Sequence, residues 1–505
     1  MSFDTRGRRG RADMNGVPPA VPDADVLVVG AGLSGIDVAV RLGEKCPDLD
    51  YVVVEARDDL GGTWDLFCYP GVRSDSDFFT LAYPFHPWRG RDAIVGGEQI
   101  REYLHDVVRH YDLDRNIRYG VRVCSADWQS ETARWRVTLE TEAGEQVVTP
   151  RFVIMCTGYY DYARPHDPVF AGLDAFDGRV VHPQFWPEDL DVDGRRVAVV
   201  GSGATAITLV PALTEHGARV TMVQRTPTYV VAQPRRDAVT DVARRVLSPA
   251  RAHLVVAAKN ALRQWAFYRA CRRAPRQMRH VLRSQAVKAV GSAAVVDAHL
   301  APDYDPWDQR VCITPDGDFF AALRRGEATI VTGHIERFVG DGLRMTDGTT
   351  VPADVVVTAT GLRISLLGDV PLFVDGRPVD LARAVAYQGA MLSGLPNLGF
   401  VVGYLNASWT LRADATARLL TRVLRRLVDT GAARVVPVPP EGLSETAPML
   451  QLDAGYLRRA AGLMPRIGPE YPWAYEQDVV RDRRAVAAAD LDDGLCWTSA
   501  DEPGR

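Results

Sequence analysis

The feature that most constrains this chain is a glycine turn that occurs twice, each time between a strand and a helix. The apolar run Val26-Leu27-Val28-Val29 leads into Gly30-Ala31-Gly32-Leu33-Ser34-Gly35. A helical pattern follows (Ile36, Val38, Ala39, Val40, Leu42), then a second apolar run, Tyr51-Val52-Val53-Val54, ending in Glu55. Strands this apolar are buried on both faces, as in a parallel sheet. Gly30 permits the tight turn, Gly32 lets backbone approach a pyrophosphate, and Gly35 lets the helix pack close to the strand. The helix N-terminus offers free N–H groups and a positive dipole end to phosphate. Glu55 stands 20 residues past Gly35, where a carboxylate takes the two hydroxyls of a ribose.

The second unit runs Val197-Ala198-Val199-Val200, then Gly201-Ser202-Gly203-Ala204-Thr205-Ala206, a helix, and the strand Val220-Thr221-Met222-Val223. It ends in Gln224-Arg225, with Arg225 19 residues past Ala206. A carboxylate at this place repels a 2′-phosphate, and a guanidinium pairs with it. The first site therefore suits the adenosine of FAD and the second suits NADPH. Two such units predict an α/β protein with two Rossmann-like dinucleotide-binding domains.

A length of 505 residues gives room for two or three domains with large cores. A net charge of −5 gives no general reason to expect nucleic acid. The seven cysteines lack C-x-x-C spacing, which predicts neither a disulfide framework nor a metal site and fits a cytoplasmic location. Residues 1–24, rich in Arg, Gly, Pro and Asp, read as a disordered tail. The pair Arg8-Arg9 has no apolar segment after it, so it does not read as a twin-arginine signal. No uncharged apolar run is long enough to span a bilayer.

Past Glu55, the stretch from Leu60 to Asp75 has the glycines and polar residues of a loop, yet carries Trp64, Phe67 and Tyr69. Such a loop suits packing on a flat ring system, with backbone N–H groups offered to it. Here the sequence resembles a known family. Gly62, Trp64, Tyr69, Pro70, Gly71 and Asp75 match a fingerprint of Baeyer–Villiger monooxygenases. Phe176, Gly178, His182, Trp186 and Pro187 match a second, just before the second glycine turn. Within that family the chain looks most like the ethionamide-activating subgroup. Shared-looking runs include Pro306-Trp307-Asp308-Gln309-Arg310 and Asn406-Ala407-Ser408-Trp409-Thr410.

The resemblance implies FAD contacts from Gly30, Gly32, Ser34, Gly35, Glu55, Gly62, Thr63, Trp64, Asp65, Asp75 and Val123. It implies NADP contacts from Arg73, Ser74 and Asp75, from Ser202 to Thr208 (Ser202, Gly203, Ala204, Thr205, Ala206, Ile207, Thr208), and from Arg225 and Thr226. Arg310 matches the family's active-site arginine, with Asp75 beside it. Many relatives carry Lys before that arginine; here it is Gln309, which places more of the 2′-phosphate on Arg225. His182 lies on the segment linking two nucleotide domains, where orienting the linker or the nicotinamide half is expected rather than acid–base chemistry. Phe176, Gly178, Trp186 and Pro187 share that segment.

Phe152-Val153-Ile154-Met155-Cys156-Thr157-Gly158 and Asp354-Val355-Val356-Val357-Thr358-Ala359-Thr360-Gly361 are strands ending in Thr-Gly. In flavoproteins with two nucleotides such strands mark crossings between domains. The expectation is a discontinuous FAD domain, 25–160 and 351–505, with an NADP domain, 161–350, inserted. Between Asp241 and Asp297 there is no acidic residue, but a dozen Lys and Arg with Trp265, Phe267 and Tyr268 among them. This helical stretch, about 235–305, reads as an insertion that covers the substrate side and pairs with acids elsewhere. The alternative is a basic amphipathic segment on a membrane surface.

The implied chemistry is oxygen insertion beside a ketone carbonyl, giving an ester or lactone, with possible sulfoxidation of a thioether. NADPH reduces FAD, O2 adds to form a C4a-peroxyflavin, and Arg310 stabilises it. Two other readings are an N- or S-oxygenating flavin monooxygenase without ketone conversion, and an NADPH-dependent flavoprotein reductase.

Overall fold

The computed structural model describes residues 20–499. The apolar runs form the parallel parts of two sheets, the larger of which adds an antiparallel edge. In the larger, of seven strands, Val26–Val29 lies between Tyr51–Val54 and Phe152–Met155, with Val26 opposite Tyr51 on one side and Phe152 on the other. Leu398–Phe400 adds to the far side of Phe152–Met155, also parallel. These strands are β-branched and apolar, and almost all their side chains are buried. The helix Leu33–Lys45 covers one face and packs on a long helix, Trp409–Asp429, whose buried positions recur at helical spacing.

The second sheet has five parallel strands, in the order Ala328–Thr332, Arg219–Gln224, Arg196–Val200, Val355–Thr358, Arg179–Val181. This corrects the expected boundary at 350. Val355–Thr358 is the fourth strand of the second sheet, beside Arg196–Val200, so the inserted domain extends past Thr358. The reason is packing at the turn. A Cβ on Gly201 would stand 2.2 Å from the Ala359 carbonyl oxygen, so that strand end abuts the second glycine turn. The chain crosses back to the first domain after this strand.

An antiparallel layer flanks the first sheet and includes Arg122–Gln129, Arg134–Thr141 and Gly144–Val148. Trp128 and Trp135 meet edge to face within it, their centroids 5.8 Å apart. The expected tail needs a second correction. Residues 1–19 lie outside the described residues, but Val21 is buried against this layer and its N–H donates to Gln146 Oε1 at 2.9 Å. The basic stretch forms the helices Ala238–Val246, Pro249–Arg273, Pro275–Val290 and Ala293–His299. Among the described residues, no helix is long and apolar enough to cross a membrane.

Candidate active site

A cavity of about 210 Å³ opens where the two glycine turns face each other across the loop from Leu60 to Asp75. Gly32 and Ser34 line it from the first turn, Ala204 and Thr208 from the second helix, and Arg310 from the segment after the basic helices.

At the first turn, Gly30 has φ +107°, and a Cβ there would lie 2.7 Å from the Cys156 carbonyl oxygen. A Cβ on Gly35 would lie 1.8 Å from the Gly30 carbonyl oxygen, so the helix sits against its strand as expected. Glu55 is buried at the strand end. Its carboxylate accepts the N–H of Ala31 at 2.8 Å and of Arg57 at 3.0 Å. Burial pushes its pKa up, against the pull of those two N–H groups. It braces the glycine turn.

Both cradles suit a phosphate. The helices Leu33–Lys45 and Ala204–Glu215 each start at a glycine, with no side chain capping the free N–H groups and no acid in the first turn. Those donors are left for an anion. A Cβ on Gly203 would meet nothing within 4 Å, so the space in front of the second helix is open.

The aromatic loop spans both domains. Gly61 donates its N–H to the Ala31 carbonyl at 3.0 Å, which seats the loop on the first turn. Gly71 packs on the second helix, where a Cβ would stand 2.7 Å from that of Ala212. Trp64, Phe67 and Tyr69 line the cavity as expected of a flat-ring lining. Thr63 Oγ1 accepts from the Tyr160 hydroxyl at 2.6 Å.

Other residues expected at the nucleotides have protein partners of their own or lie outside this cavity's lining. Asp65 does not line the cavity: its carboxylate accepts from Arg57 Nε at 2.5 Å and pairs with Arg101 at 3.4 Å. Ser74 is buried, its backbone N–H donating to Val95 at 3.0 Å, while its neighbours Arg73 and Asp75 reach the cavity. Arg73 pairs with Asp318 at 2.5 Å. Val123 lies outside the cavity lining; Val121 instead bonds the Glu55 carbonyl through its N–H at 2.9 Å. Ala206 and Ile207 are core residues of the second helix. Ser202 Oγ donates to the Thr226 carbonyl at 2.9 Å, which closes the second turn, and the Thr205 side chain meets Tyr69. Arg225 is exposed at its strand end, and Arg459 on the helix Gly455–Ala460 faces it. Burial first, then the Arg225 charge, depresses the Arg459 pKa.

Arg310 Nη2 lies 2.7 Å from Asp75 Oδ2, and about a third of each side chain is exposed (32% and 38%). Burial works to lower the Arg310 pKa, but Asp75, followed by Tyr159 and Tyr456, outweighs it and the net shift is upward. The guanidinium is therefore a permanent cation on the cavity wall. Its loop is clamped by the basic helices. Tyr268 meets Trp307 edge to face at 5.5 Å, Arg272 pairs with Asp308 at 2.6 Å, and Arg279 Nε pairs with Asp305 at 2.9 Å. The insertion thus pairs with acids elsewhere, as expected of it.

The second fingerprint is structural. Phe176 packs on Phe338 at 5.8 Å, and Gly178 fits beneath the Phe176 ring, with a Cβ 2.5 Å from Cζ. His182 Nδ1 accepts the Gln184 N–H at 3.1 Å, and burial lowers its pKa, so it holds the linker as a neutral ring. Trp186 packs partly buried against the core of the second domain. Gln184 donates to the carbonyls of Asp161 and Tyr162 at 3.0 and 2.9 Å, which fixes the cavity tyrosines. Sequence reasoning did not place Tyr159, Tyr160, Tyr162 or Trp409 at the site. Tyr159 stacks on Trp409 at 5.4 Å, and Trp409 Nε1 donates to Ser34 Oγ at 2.8 Å. The Thr157-Gly158 strand end and the Asn406–Thr410 run were the available signals.

A sequence model of flavin-binding monooxygenase-like proteins matches residues 23–239. The chain is 44% identical over 481 residues to the FAD-containing monooxygenase EthA of Mycobacterium tuberculosis, covering 95% of this chain and 98% of that relative. It is 41% identical over 475 residues to the probable FAD-binding monooxygenase AlmA of Acinetobacter baylyi, covering 93% and 95%. Among solved structures, an oxidised steroid monooxygenase bound to NADP is similar, with a TM-score of 0.76 at 22% identity, covering 95% of this chain and 100% of that one. An open cyclohexanone monooxygenase superposes with a TM-score of 0.74 at 21% identity, covering 94% and 99%.

Proposed function

The chain belongs to the flavin-binding monooxygenase family, as a relative of the EthA-type FAD-containing monooxygenases, and from that premise we propose that it inserts one oxygen of O2 beside a ketone carbonyl, with thioether sulfoxidation as a side activity. The observation that carries this reading is the Arg310–Asp75 pair on the wall of a cavity shared by both nucleotide cradles.

FAD and NADPH, when bound, supply hydride transfer and the activation of O2. The protein supplies binding, orientation and charge. The first cradle would hold the FAD pyrophosphate on the Leu33–Lys45 N-terminus, and Glu55 would take its ribose. The second would hold NADPH on the Ala204–Glu215 N-terminus, with Arg225 and Arg459 as the cations for a 2′-phosphate. Arg310 offers a fixed cation to the negative charge that develops on oxygen, which a preorganised site stabilises more than water does. Asp75 keeps that guanidinium aligned. Trp64, Tyr159 and Trp409, which line the cavity, would pack on the flat ring and exclude water.

The test is a competition. The holoenzyme is given NADPH, O2, a simple cyclic ketone and a thioether, and both products are analysed. Lactone together with sulfoxide is expected. Sulfoxide alone would reassign the protein to N- or S-oxygenation, and NADPH oxidation with neither product would make it a reductase.

A further inference from the structure

The basic helices have two faces. On Pro249–Arg273 the positions Ala252, His253, Val256 and Asn260 are buried. His253 lies 6.0 Å from Phe79, and Gln264 donates to Thr80 at 3.4 Å. The opposite face carries Arg251, Leu254, Val255, Ala258 and Leu262, all exposed, at helical spacing. The preceding helix, Ala238–Val246, continues the pattern with exposed Val239, Val242 and Val246. Val242 is 58%, Val246 74% and Leu262 61% exposed. Side chains this apolar and this open, on two consecutive packed helices, make a single exposed strip rather than scattered residues.

The charge around the strip is predominantly positive, with Asp241 the one acid inside the two helices. From residue 242 to 296 there is no carboxylate. Cations such as Arg269, Arg272 and Arg279 are paired with acids of other elements, but Arg245 and Arg251, beside the strip, make no ion pair among the described residues. An apolar strip rimmed by free arginines matches the boundary of an anionic lipid bilayer, where apolar side chains enter the headgroup region and cations meet phosphate. A second copy of the chain fits less well, because face-to-face packing would set Arg245 and Arg251 of one copy against the same charges of the other.

We propose that the helices Ala238–Val246 and Pro249–Arg273 dock this enzyme peripherally on anionic membranes through Val242, Val246, Leu254 and Leu262, with Arg245 and Arg251 on lipid phosphate. The face is peripheral, not spanning. It lies on the reverse of the face that packs on Phe79 and Thr80, next to cavity-lining Leu81, so an apolar substrate dissolved in lipid would be held on the same side of the molecule as the site. This inference is independent of which oxygenation the cavity performs.

The test is co-sedimentation of the flavin-loaded full chain with vesicles of equal parts phosphatidylglycerol and phosphatidylcholine, against vesicles of phosphatidylcholine alone. The protein should pellet with the anionic vesicles at low salt and be released by high salt. Arg245→Glu with Arg251→Glu should weaken binding by about tenfold or more. Val242→Ser, Val246→Ser, Leu254→Ser and Leu262→Ser combined should abolish it while leaving flavin content and NADPH oxidation in solution at the parent level. The proposal falls if the parent stays in the supernatant with anionic vesicles, or if the fourfold variant pellets like the parent. It falls equally if gel filtration shows a dimer that the fourfold variant breaks and vesicles fail to recruit, since the strip is then a self-interface.

Discussion

The two glycine turns begin alike and diverge at their third small residue. Gly30 and Gly201 both have positive φ, +107° and +137°, and each abuts the carbonyl oxygen that ends a strand from later in the chain, Cys156 in one and Ala359 in the other. Beyond that, Gly35 leaves no room for a Cβ, which would stand 1.8 Å from the Gly30 carbonyl oxygen. Its counterpart is Ala206, fully buried and tolerated. The first turn is also roofed by the aromatic loop, with a Cβ on Gly32 lying 3.6 Å from Gly62, whereas Gly203 faces open space. One cradle is closed by protein and braced by buried Glu55. The other is open, with Arg225 exposed at its rim.

Substitutions at equivalent places should therefore give unequal results. The largest effect is expected for Gly35→Ala, which overpacks the first turn and should cost about 3 kcal/mol or more, read as a lower melting temperature and loss of bound flavin. Gly203→Ala should leave melting and flavin content unchanged and weaken NADPH binding alone. Equal losses at the two positions would break the comparison.

Arg310→Ala comes next, because it removes the cation both cradles serve. Product formation should fall by about 3 kcal/mol in the barrier, on the order of a hundredfold, while stopped-flow reduction of flavin by NADPH stays near the parent rate. A parallel loss of reduction would place Arg310 in the NADPH cradle instead.

Arg225→Ala should raise the KM for NADPH by about tenfold, the worth of one charge-assisted contact, and leave that for NADH nearly unchanged. Arg459→Ala should act in the same direction. Equal effects on the two nicotinamides would refute the 2′-phosphate assignment.

The smallest effect is expected at Trp409→Phe, which keeps the stacking on Tyr159 but removes the hydrogen bond to Ser34. It should cost about 1 kcal/mol in a flavin-loaded thermal melt and leave NADPH affinity unchanged.

The glycine turns, the strands around them and the aromatic loop were legible because each has a local signature, a period, a turn chemistry or a spacing, whereas the Arg310–Asp75 pair came from the family resemblance alone. What was not legible depends on distant partners. Val355–Val357 is a short apolar run that carries no mark of which sheet it joins. Asp65 and Ser74 are polar loop residues, and nothing local says whether they face a ligand or, as here, Arg57 and Val95. Tyr159 and Trp409 meet across 250 residues of chain, and Arg459 reaches Arg225 from the C-terminal part. The basic stretch was readable as helical, but only the fold shows that Arg272 and Arg279 are paired while Arg245 and Arg251 are not.

The most direct test of a closed cradle and an open one serving a single guanidinium is a turnover with isotopically labelled dioxygen. The parent enzyme, NADPH and a cyclic ketone are mixed under labelled O2, and the product is weighed by mass spectrometry. The prediction is a lactone carrying one labelled oxygen in its ring, formed in step with NADPH consumption. NADPH consumed with the ketone untouched and all label recovered as hydrogen peroxide would contradict it.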